Sequence, residues 1–449
     1  MINKNNGKLN KFIIVTEENS GAGYAKRFID EGNEVIIAGK AREDLYKTVK
    51  DKILFNLTCK GIVPRIDFDK IFKDRKKYKD WAWIFDQNHN SDYADQLRKE
   101  GFQYIFGTSS LTDKMEHNRG FGVSLIKKAG LQTPPTYRFN SIQDGINFLE
   151  QNEDKAYIFK PDDNDNESWS TTVPDNERND KANKEIGELL QSFGNGKGSY
   201  ILQERKKGIE LNVEIFVYKG QAFFAHANFE SKKKLNKDLG KFVGCSQDID
   251  FVIPLESKII QETVIKLLKL PEFKDYTGFL DMNIIVSDKQ YWFLEFCARF
   301  GYNMHINLFW NLSILSISEI FSKYLTGDIN NFYQYFRDGF GATITLYTDN
   351  PVKGVPITVP EELDENFYYF SIYKDNGMLK ISGETGIEVG VLCSMDYDIK
   401  SAADNVLDLI PKINYPNKSA RTDIDKTDYL SNPIERYIAC QAMKLFDKK

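Results

Sequence analysis

The chain has 449 residues, 41% of them hydrophobic and 13% aromatic, which excludes a disordered protein and predicts more than one domain. A formal net charge of -5 excludes attraction of the whole surface to nucleic acid, although a local basic patch stays open. Five scattered cysteines and four widely spaced histidines give neither a disulfide framework nor a zinc signature, and the lack of a long apolar run predicts a cytoplasmic protein without a membrane partner.

The first hundred residues alternate between apolar strands and amphipathic helices. This order predicts a parallel, doubly wound sheet, with strands at 12–16, 34–39, 81–86 and 102–107 and helices at 20–30 and 91–99. The turn at 19–25, NSGAGYA, contains a Gly-x-Gly that can seat a phosphate at a helix N-terminus. A tight turn is the alternative, because the third glycine of the dinucleotide fingerprint is absent.

The next hundred residues carry lysines and glutamates at the ends of predicted elements. A long helix is predicted at 111–129, and Gly130 ends it. The helix carries Lys114, which is either a functional lysine or an ordinary exposed helix lysine. Ser141 caps a helix to 150, and a strand at 156–162 ends near Lys160. Two strands with alternating polarity are predicted in 199–220, and they carry three further polar candidates, Gln203, Glu204 and Glu210. The alternative interpretation is an edge strand with charged side chains.

A hairpin is predicted at 276–303, where two apolar runs flank the polar turn Ser287 to Gln290. A basic run at 232–244 precedes it and predicts either a solvated face or an anion-binding site. One helix is predicted before the hairpin, at 255–270, and another after it, at 312–325. Strand alternation places Asp281 with Asn283 on one face, and Glu295 with Cys297 and Arg299 on one face. Carboxylates converging there suit Mg²⁺, whereas a polar face exposed to water is the alternative.

The hairpin sequences GFLDMN and LEFCARFG resemble the metal hairpin of the ATP-grasp superfamily, and within it the phosphoribosylamine–glycine ligase family. That family's motif reads E-F-N-x-R-F-G-D-P-E. The chain keeps its Glu, Phe, Arg, Phe and Gly, as Glu295, Phe296, Arg299, Phe300 and Gly301. Cys297 replaces the metal-binding Asn, and residues 302–304 replace Asp-Pro-Glu. Because thiol is a poor ligand for Mg²⁺, this departure predicts that a second metal is held differently.

The resemblance implies an α/β (α+β) fold: an ATP-grasp fold with an N-terminal Rossmann-like pre-ATP-grasp domain and a small C-terminal β-rich domain. The expected domains are 1–110, an ATP-grasp domain at 111–335 with a lid at about 155–225, a C-terminal domain at 336–424, and a helical tail at 425–449. Three segments depart from the family's substrate or nucleotide loops. They are 19–25, the acidic stretch 162–172 with Ser168 and Ser170, and 232–254.

The resemblance also implies roles for individual side chains, with ATP and Mg²⁺ or Mn²⁺ as cofactors. The catalytic residues implied are Arg299 and Lys160. The nucleotide residues implied are Lys114, Lys160, Gln203, Glu204 and Glu210. The metal residues implied are Asp281, Glu295 and Asn283.

The leading functional hypothesis is an ATP-dependent carboxylate–amine ligase that works through an acyl phosphate and joins an amino acid to another small amine. Genuine phosphoribosylamine–glycine ligase activity is the alternative, and a catalytically dead ATP-binding module is the alternative from another class. The expected partners are a small carboxylate and a small amine, with a modified base left open as acceptor. A monomer and a homodimer both fit the sequence.

Overall fold

The computed structural model describes residues 8–161, 171–174, 178–194, 198–287, 290–299, 303–384, 388–426 and 432–448. Several sequence predictions lie outside the described residues: those on Ser168 and Ser170 within the acidic stretch, on the tip of the hairpin turn at 288–289, and on 300–302. The chain divides into two compact units. Unit 1 comprises 1–117, 211–282 and 296–449, and unit 2 comprises 118–210 and 283–295.

The strands, in chain order, are β1 Lys11–Thr16, β2 Glu34–Gly39, β3 Arg65–Asp67, β4 Ala82–Phe85, β5 Ile105–Phe106, β6 Thr136–Phe139, β7 Tyr157–Pro161, β8 Tyr200–Glu204, β9 Ile209–Tyr218, β10 Gln221–Leu235, β11 Leu239–Val252, β12 Gly278–Val286, β13 Tyr291–Phe296, β14 Phe340–Thr348, β15 Phe367–Tyr369, β16 Ile372–Asp375, β17 Met378–Ile381, β18 Glu388–Asp396 and β19 Lys418–Ala420.

The α-helices are α1 Ala22–Asp30, α2 Val49–Phe55, α3 Phe68–Lys73, α4 Ser91–Lys99, α5 Ser110–His117, α6 Arg119–Lys128, α7 Ile142–Gln151, α8 Asn179–Ser192, α9 Lys258–Glu262, α10 Val264–Leu268, α11 Asn303–Asn307, α12 Ile317–Thr326, α13 Ile399–Leu407 and α14 Pro433–Ala442. In the described part of the chain, no helix combines the length and apolarity needed to cross a bilayer.

The N-terminal sheet of unit 1 is parallel, as the alternation of strands and helices predicts, with the order β3-β2-β1-β4-β5. Alternate residues of β1 face different cores: Phe12 and Ile14 pack into one cluster, Ile13 and Val15 into another. The chain order changes direction between β1 and β4, and their carboxyl ends therefore form the crevice where open α/β sheets bind ligands.

A second sheet runs in the order β13-β12-β9-β10-β11-β14-β18-β15, and β19 pairs with β14. The basic run 232–244 belongs to this sheet, because β10 and β11 form a long hairpin in which Lys233 pairs with Phe242 and Leu235 with Leu239. Its tip exposes apolar side chains as well as lysines: Leu239 is 60% exposed. The run 232–244 therefore forms the end of a β-hairpin, which was not predicted from the sequence.

Unit 2 contains the three-stranded antiparallel sheet β6-β8-β7, packed on α7 and α8 around an aromatic and aliphatic core. Ser141 caps α7, as predicted, by accepting a hydrogen bond from the Asp144 N–H. In the predicted hairpin, β12 and β13 are neighbours, and the Ser287 N–H donates to the Gln290 carbonyl over 3.0 Å. The two strands thus meet at Ser287 and Gln290, the predicted ends of the polar turn.

Two predicted helices are each broken. The helix predicted at 111–129 is α5 and α6, because Asn118 leaves the helical region with φ -109° and ψ 90° and its side chain caps α6 by accepting from Phe121 N–H. The helix predicted at 255–270 is α9 and α10, which separate at Thr263 with φ -123° and ψ -97°. The exit helix begins at Ile317 rather than 312, after a π-helical turn at Leu308–Leu312.

Candidate functional site

The two polar residues of β12 are buried, which argues against the alternative of a polar face open to water. Asp281 is 3% exposed and Asn283 is 2% exposed. The Asn283 amide donates to Glu210 Oε1 over 3.1 Å, so a hairpin residue and a residue of the predicted nucleotide hinge meet within unit 2. In the described residues Asn283 Oδ1 has no hydrogen-bond partner. A buried free oxygen at this place suits a cation or a ligand hydroxyl.

The hinge strand β8 positions Gln203 and Glu204 in unit 2. Gln203 is 5% exposed and donates to Thr136 Oγ1 over 3.2 Å. Glu204 lies between two lysines, with Lys206 Nζ 2.5 Å from Oε1 and Lys155 Nζ 3.5 Å from Oε2. Lys206 in turn lies over the Trp292 ring at 4.3 Å. Glu204 is therefore paired with two ammonium groups and is not an isolated charge on the edge of a strand.

Lys160 is a buried lysine at the end of β7, with 6% exposure. Beyond the undescribed residues the chain returns beside this strand, where Thr172 exchanges two backbone hydrogen bonds with Phe159, of 2.9 and 3.1 Å. Lysine is almost never fully buried without a polar partner. The burial of Lys160 therefore sets it apart from an ordinary surface lysine, and its role over nucleotide phosphates stays a prediction.

Arg299 forms an ion pair in unit 1 that no local pattern indicates. Its Nε donates to Glu116 Oε1 over 2.8 Å, and Asn88 Nδ2 donates to Glu116 Oε2 over 2.6 Å. Glu116 lies two residues after Lys114 on α5, and Lys114 itself is exposed there. Glu116 thus fixes the guanidinium that the resemblance makes catalytic, and sequence reasoning did not single it out.

The Gly-x-Gly turn after β1 is occupied by a carboxylate of the protein itself. The Gly21 N–H and the Ser20 hydroxyl donate to Asp86 Oδ2 over 2.7 and 3.0 Å. Burial raises the pKa of Asp86 to about 6, and burial followed by the charge of Asp86 raises the pKa of Glu17 to about 8. Because the Gly21 N–H and the Ser20 hydroxyl already donate to Asp86, they are not available to bind a phosphate. The segment is therefore better described as a tight turn.

A cavity of about 600 Å³ opens in unit 1 where several departures from the family meet. Its described lining includes Cys245 and Asn303, and four carboxylates: Glu18, Asp44, Glu384 and Glu388. Arg42 pairs with Glu18 and Asp44. Glu384 is 4% exposed, and burial raises its pKa to about 7 although Asn19, Tyr46 and Thr58 donate to it. The single cation in the described lining is Lys47.

The remaining predicted residues are divided between the units. Lys114, Asp281 and Arg299 belong to unit 1, whereas Glu295 lies in unit 2 on β13, where it is partly exposed. The bridging of Asp281 and Glu295 by a metal therefore stays a prediction. So do the roles assigned to Lys114 and to Lys160.

Comparisons with known proteins agree with the fold. Residues 117–303 match the family model described as phosphoribosylglycinamide synthetase, ATP-grasp (A) domain. A phosphoribosylamine–glycine ligase of Methanocaldococcus jannaschii is 24% identical over 371 residues, 76% of this chain and 81% of that protein. The solved phosphoribosylamine–glycine ligase of Thermotoga maritima has a TM-score of 0.66 at 18% identity and covers 92% of this chain and 99% of its own.

A second solved structure belongs to a different enzyme with the same fold. The biotin carboxylase domain of the Hydrogenobacter thermophilus 2-oxoglutarate carboxylase, in complex with MgADP, ADP and bicarbonate, has a TM-score of 0.61 at 10% identity. The match covers 97% of this chain and 99% of that one. The predicted ATP-grasp fold, with an N-terminal Rossmann-like domain and a small C-terminal β-rich domain, is thereby confirmed.

Proposed function

Because this chain is an ATP-grasp protein that resembles phosphoribosylamine–glycine ligase, we propose that it is an ATP-dependent ligase that joins a carboxylate to an amine. One observation carries this proposal: the 3.1 Å hydrogen bond between Asn283 and Glu210. It joins the segment implied to bind metal to the segment implied to bind ribose, and the burial of both polar groups of β12 argues for a site rather than a surface.

The proposed reaction has two steps. The γ-phosphoryl group moves from ATP to a substrate carboxylate, which breaks the bond to ADP and forms an acyl phosphate. The amine nitrogen then attacks the acyl carbon, the bond to phosphate breaks, phosphate leaves with its electron pair, and the nitrogen loses one proton to water or phosphate. Phosphoryl transfer depends chiefly on positioning and on neutralised charge, which Lys160, Lys114 and Arg299 are proposed to supply.

A divalent cation is proposed at the side-chain oxygens of Asp281, Asn283 and Glu295. These are hard oxygen donors, and the buried Asn283 Oδ1 has no hydrogen-bond partner in the described part of the chain. The residues present therefore fit Mg²⁺ or Mn²⁺. When bound, such an ion neutralises phosphate charge. Glu210 is proposed to orient the ribose, and Gln203 and Glu204 to border the adenine.

The first candidate for the substrate pair is phosphoribosylamine and glycine. The names of the curated relatives favour this pair over the leading sequence hypothesis, because each of those compared carries that activity as its name. A non-enzymatic ATP-binding module receives no support from these relatives. Phosphoribosylamine with glycine is therefore the first mixture to test.

The second candidate is a related ligase that joins an amino acid to an amine without phosphate, and the acidic cavity favours it. A phosphate group would meet four carboxylates at this wall, of which Glu18 and Asp44 are paired with Arg42, and Lys47 is the single cation in the described lining. Like charges repel strongly where water is partly excluded. Asp86 also accepts the hydrogen bonds that the Gly-x-Gly turn offers. Both features favour an ammonium group over a phosphate.

The test is ADP release with Mg²⁺ and ATP, followed by mass detection of products. Phosphoribosylamine, generated in the assay, is offered with glycine, and a panel of amino acids is offered with small amines. The first candidate predicts glycinamide ribonucleotide as product; the second predicts an amide without phosphate. ADP release that no substrate pair stimulates would contradict the ligase proposal itself.

A matched pair of variants separates chemistry from folding. Glu295→Gln keeps the side-chain volume and removes the charge, so it should lower ATP turnover by about 10²-fold or more. Glu153→Gln makes the same change at an exposed residue of unit 2 and should leave turnover as in the wild type. Equal turnover in the two variants would remove Glu295 from the site.

A further inference from the structure

A chain of four ionisable side chains lies fully buried inside unit 1. His226 Nδ1 is 2.9 Å from Asp250 Oδ2, and His226 Nε2 is 2.9 Å from Glu214 Oε1. His305 Nε2 is 2.8 and 3.1 Å from the two Glu214 oxygens. Asp250, His226 and Glu214 are 0% exposed and His305 is 1% exposed. The proposed ligase reaction uses none of these groups.

The fold holds these side chains from three directions. Glu214 and His226 are direct cross-strand partners of β9 and β10. Asp250 belongs to β11, where it pairs with Asn228, and His305 comes from α11. The His305 ring stacks on Phe279 with centroids 4.4 Å apart, which fixes its plane. The four groups therefore meet because of tertiary structure and cannot easily turn away from one another.

Charge balance in this interior requires added positive charge. Two carboxylates with two neutral imidazoles carry a formal charge of about -2 in a fully buried cluster, which is strongly unfavourable. Two extra protons would balance it, and one divalent ion would do so equally well. Asp250 Oδ1 and Asn228 Oδ1 are further buried acceptors without a hydrogen-bond partner in the described residues, and they add to the negative potential of this interior.

The donor atoms suit a transition metal. One ring nitrogen each of His226 and His305 and a Glu214 oxygen all lie within 4.8 Å of one another. Zn²⁺ bonds imidazole nitrogen and carboxylate oxygen at about 2.0–2.2 Å, so tetrahedral ligand atoms lie about 3.3 Å apart. The contacts of 2.8 and 2.9 Å therefore need to lengthen by only about 0.5 Å. Asp250 already accepts from the other nitrogen of His226, as carboxylates beside metal-bound histidines do.

We propose that Glu214, His226 and His305 bind one Zn²⁺ ion, with Asp250 orienting His226. The site joins β9, β10 and α11 in unit 1. It differs in chemistry from the oxygen set on the hairpin, because imidazole ligands select Zn²⁺ over Mg²⁺. The sequence gave no zinc signature because the ligands are separated by 12 and 91 positions.

The experiment measures metal in the full chain. Protein purified without a histidine tag and dialysed into metal-free buffer is analysed by mass spectrometry for Zn, Fe, Mn, Co, Ni and Cu. The expected result is about one equivalent of zinc per chain. Protein unfolded with a chelator and refolded with and without Zn²⁺ should differ in Tm, with the zinc form higher.

The chain supplies a matched control. His305→Gln removes a proposed ligand and should lower zinc content at least about tenfold. His117→Gln changes a partly exposed histidine of unit 1 and should retain the zinc of the wild type. If His305→Gln does not fold, the wild-type content and the refolding comparison still decide. Wild-type protein that takes up no transition metal and refolds with the same Tm in chelator would overturn the proposal in favour of a metal-free hydrogen-bonded network. Equal zinc loss in both variants would overturn it in favour of surface binding.

Discussion

Arg299 is held in place by Glu116, whose Oε1 accepts from the arginine Nε over 2.8 Å across 183 positions of sequence. The pair is mostly buried, with 20% and 15% of the two side chains exposed. Removing one partner of such a pair leaves the other charge without compensation. If Arg299 stabilises charge during phosphoryl transfer, Arg299→Ala should lower kcat about 10²- to 10³-fold, and Glu116→Gln should lower it about tenfold through misplacement. Initial rates of ADP formation at saturating ATP give both values.

The control for this pair is another arginine–glutamate pair of unit 1. Arg75 contacts Glu100 with two nitrogens, each at 2.7 Å, and neither residue is among the candidates. Arg75→Ala and Glu100→Gln should leave kcat within about twofold of the wild type, since neither residue belongs to the candidate site. A Glu116→Gln enzyme with wild-type kcat would show that Arg299 is positioned without its glutamate.

The buried carboxyl of Glu17 should make the stability of the protein depend on pH. Burial, and then the charge of Asp86, raises the pKa of Glu17 from an ordinary value of 4.5 to about 8. The folded state therefore binds this proton more tightly than the unfolded state, and its contribution to stability is lost as pH rises from about 4.5 to 8. Glu17→Gln should reduce the loss in the free energy of unfolding over this pH range by on the order of 1–3 kcal/mol. Denaturant unfolding at pH 5, 6.5 and 8 measures the slope, and Glu153→Gln should keep the wild-type slope.

The sequence predicted elements where local chemistry decides them. Helix α4 spans the predicted Ser91–Lys99, and Ser287 pairs with Gln290 at the end of β12, as the predicted hairpin requires. The break at Asn118 was missed, because an apolar helical pattern continues on both sides and only the capping bond from Phe121 N–H reveals the interruption. Within the candidate site, Asn283 and Glu210 were both predicted from the hairpin and the hinge, and the structure adds their contact.

The missed residues depend on distant contacts. Glu116 is an ordinary helical glutamate in the sequence, and only the fold brings it to Arg299 and Asn88. His305 and Glu214 lie 91 positions apart, and no spacing rule joins them. Asp86 follows β4 and accepts from the turn after β1, which requires that these two strands be neighbours. Parallel pairing of that kind is a property of tertiary structure that periodicity does not supply.

Glu210 offers a test of the nucleotide residues. Glu210→Gln keeps the size of the side chain and removes its charge, so ribose hydroxyl groups lose a charge-assisted acceptor. We expect KM for ATP to rise about 10- to 100-fold, with a smaller change in kcat. Titration of ATP in the ADP assay measures both constants, and Glu153→Gln is again the control. A wild-type KM would place the ribose elsewhere, although the bond to Asn283 would remain as a structural contact.

Cys297 stands where the family that this chain resembles has a metal-binding Asn, and it supplies the last test. Its carbonyl accepts from the Arg299 N–H over 2.7 Å, so residue 297 is tied to the backbone that carries the proposed catalytic arginine. Hard Mg²⁺ prefers oxygen to sulfur. Cys297→Asn should therefore lower the Mg²⁺ concentration for half-maximal ATP turnover, by roughly tenfold or less because one ligand among several changes. Cys297→Ala, which adds no oxygen, should leave that concentration unchanged. Matching Mg²⁺ dependence in the Asn variant, the Ala variant and the wild type would show that residue 297 does not contact the metal.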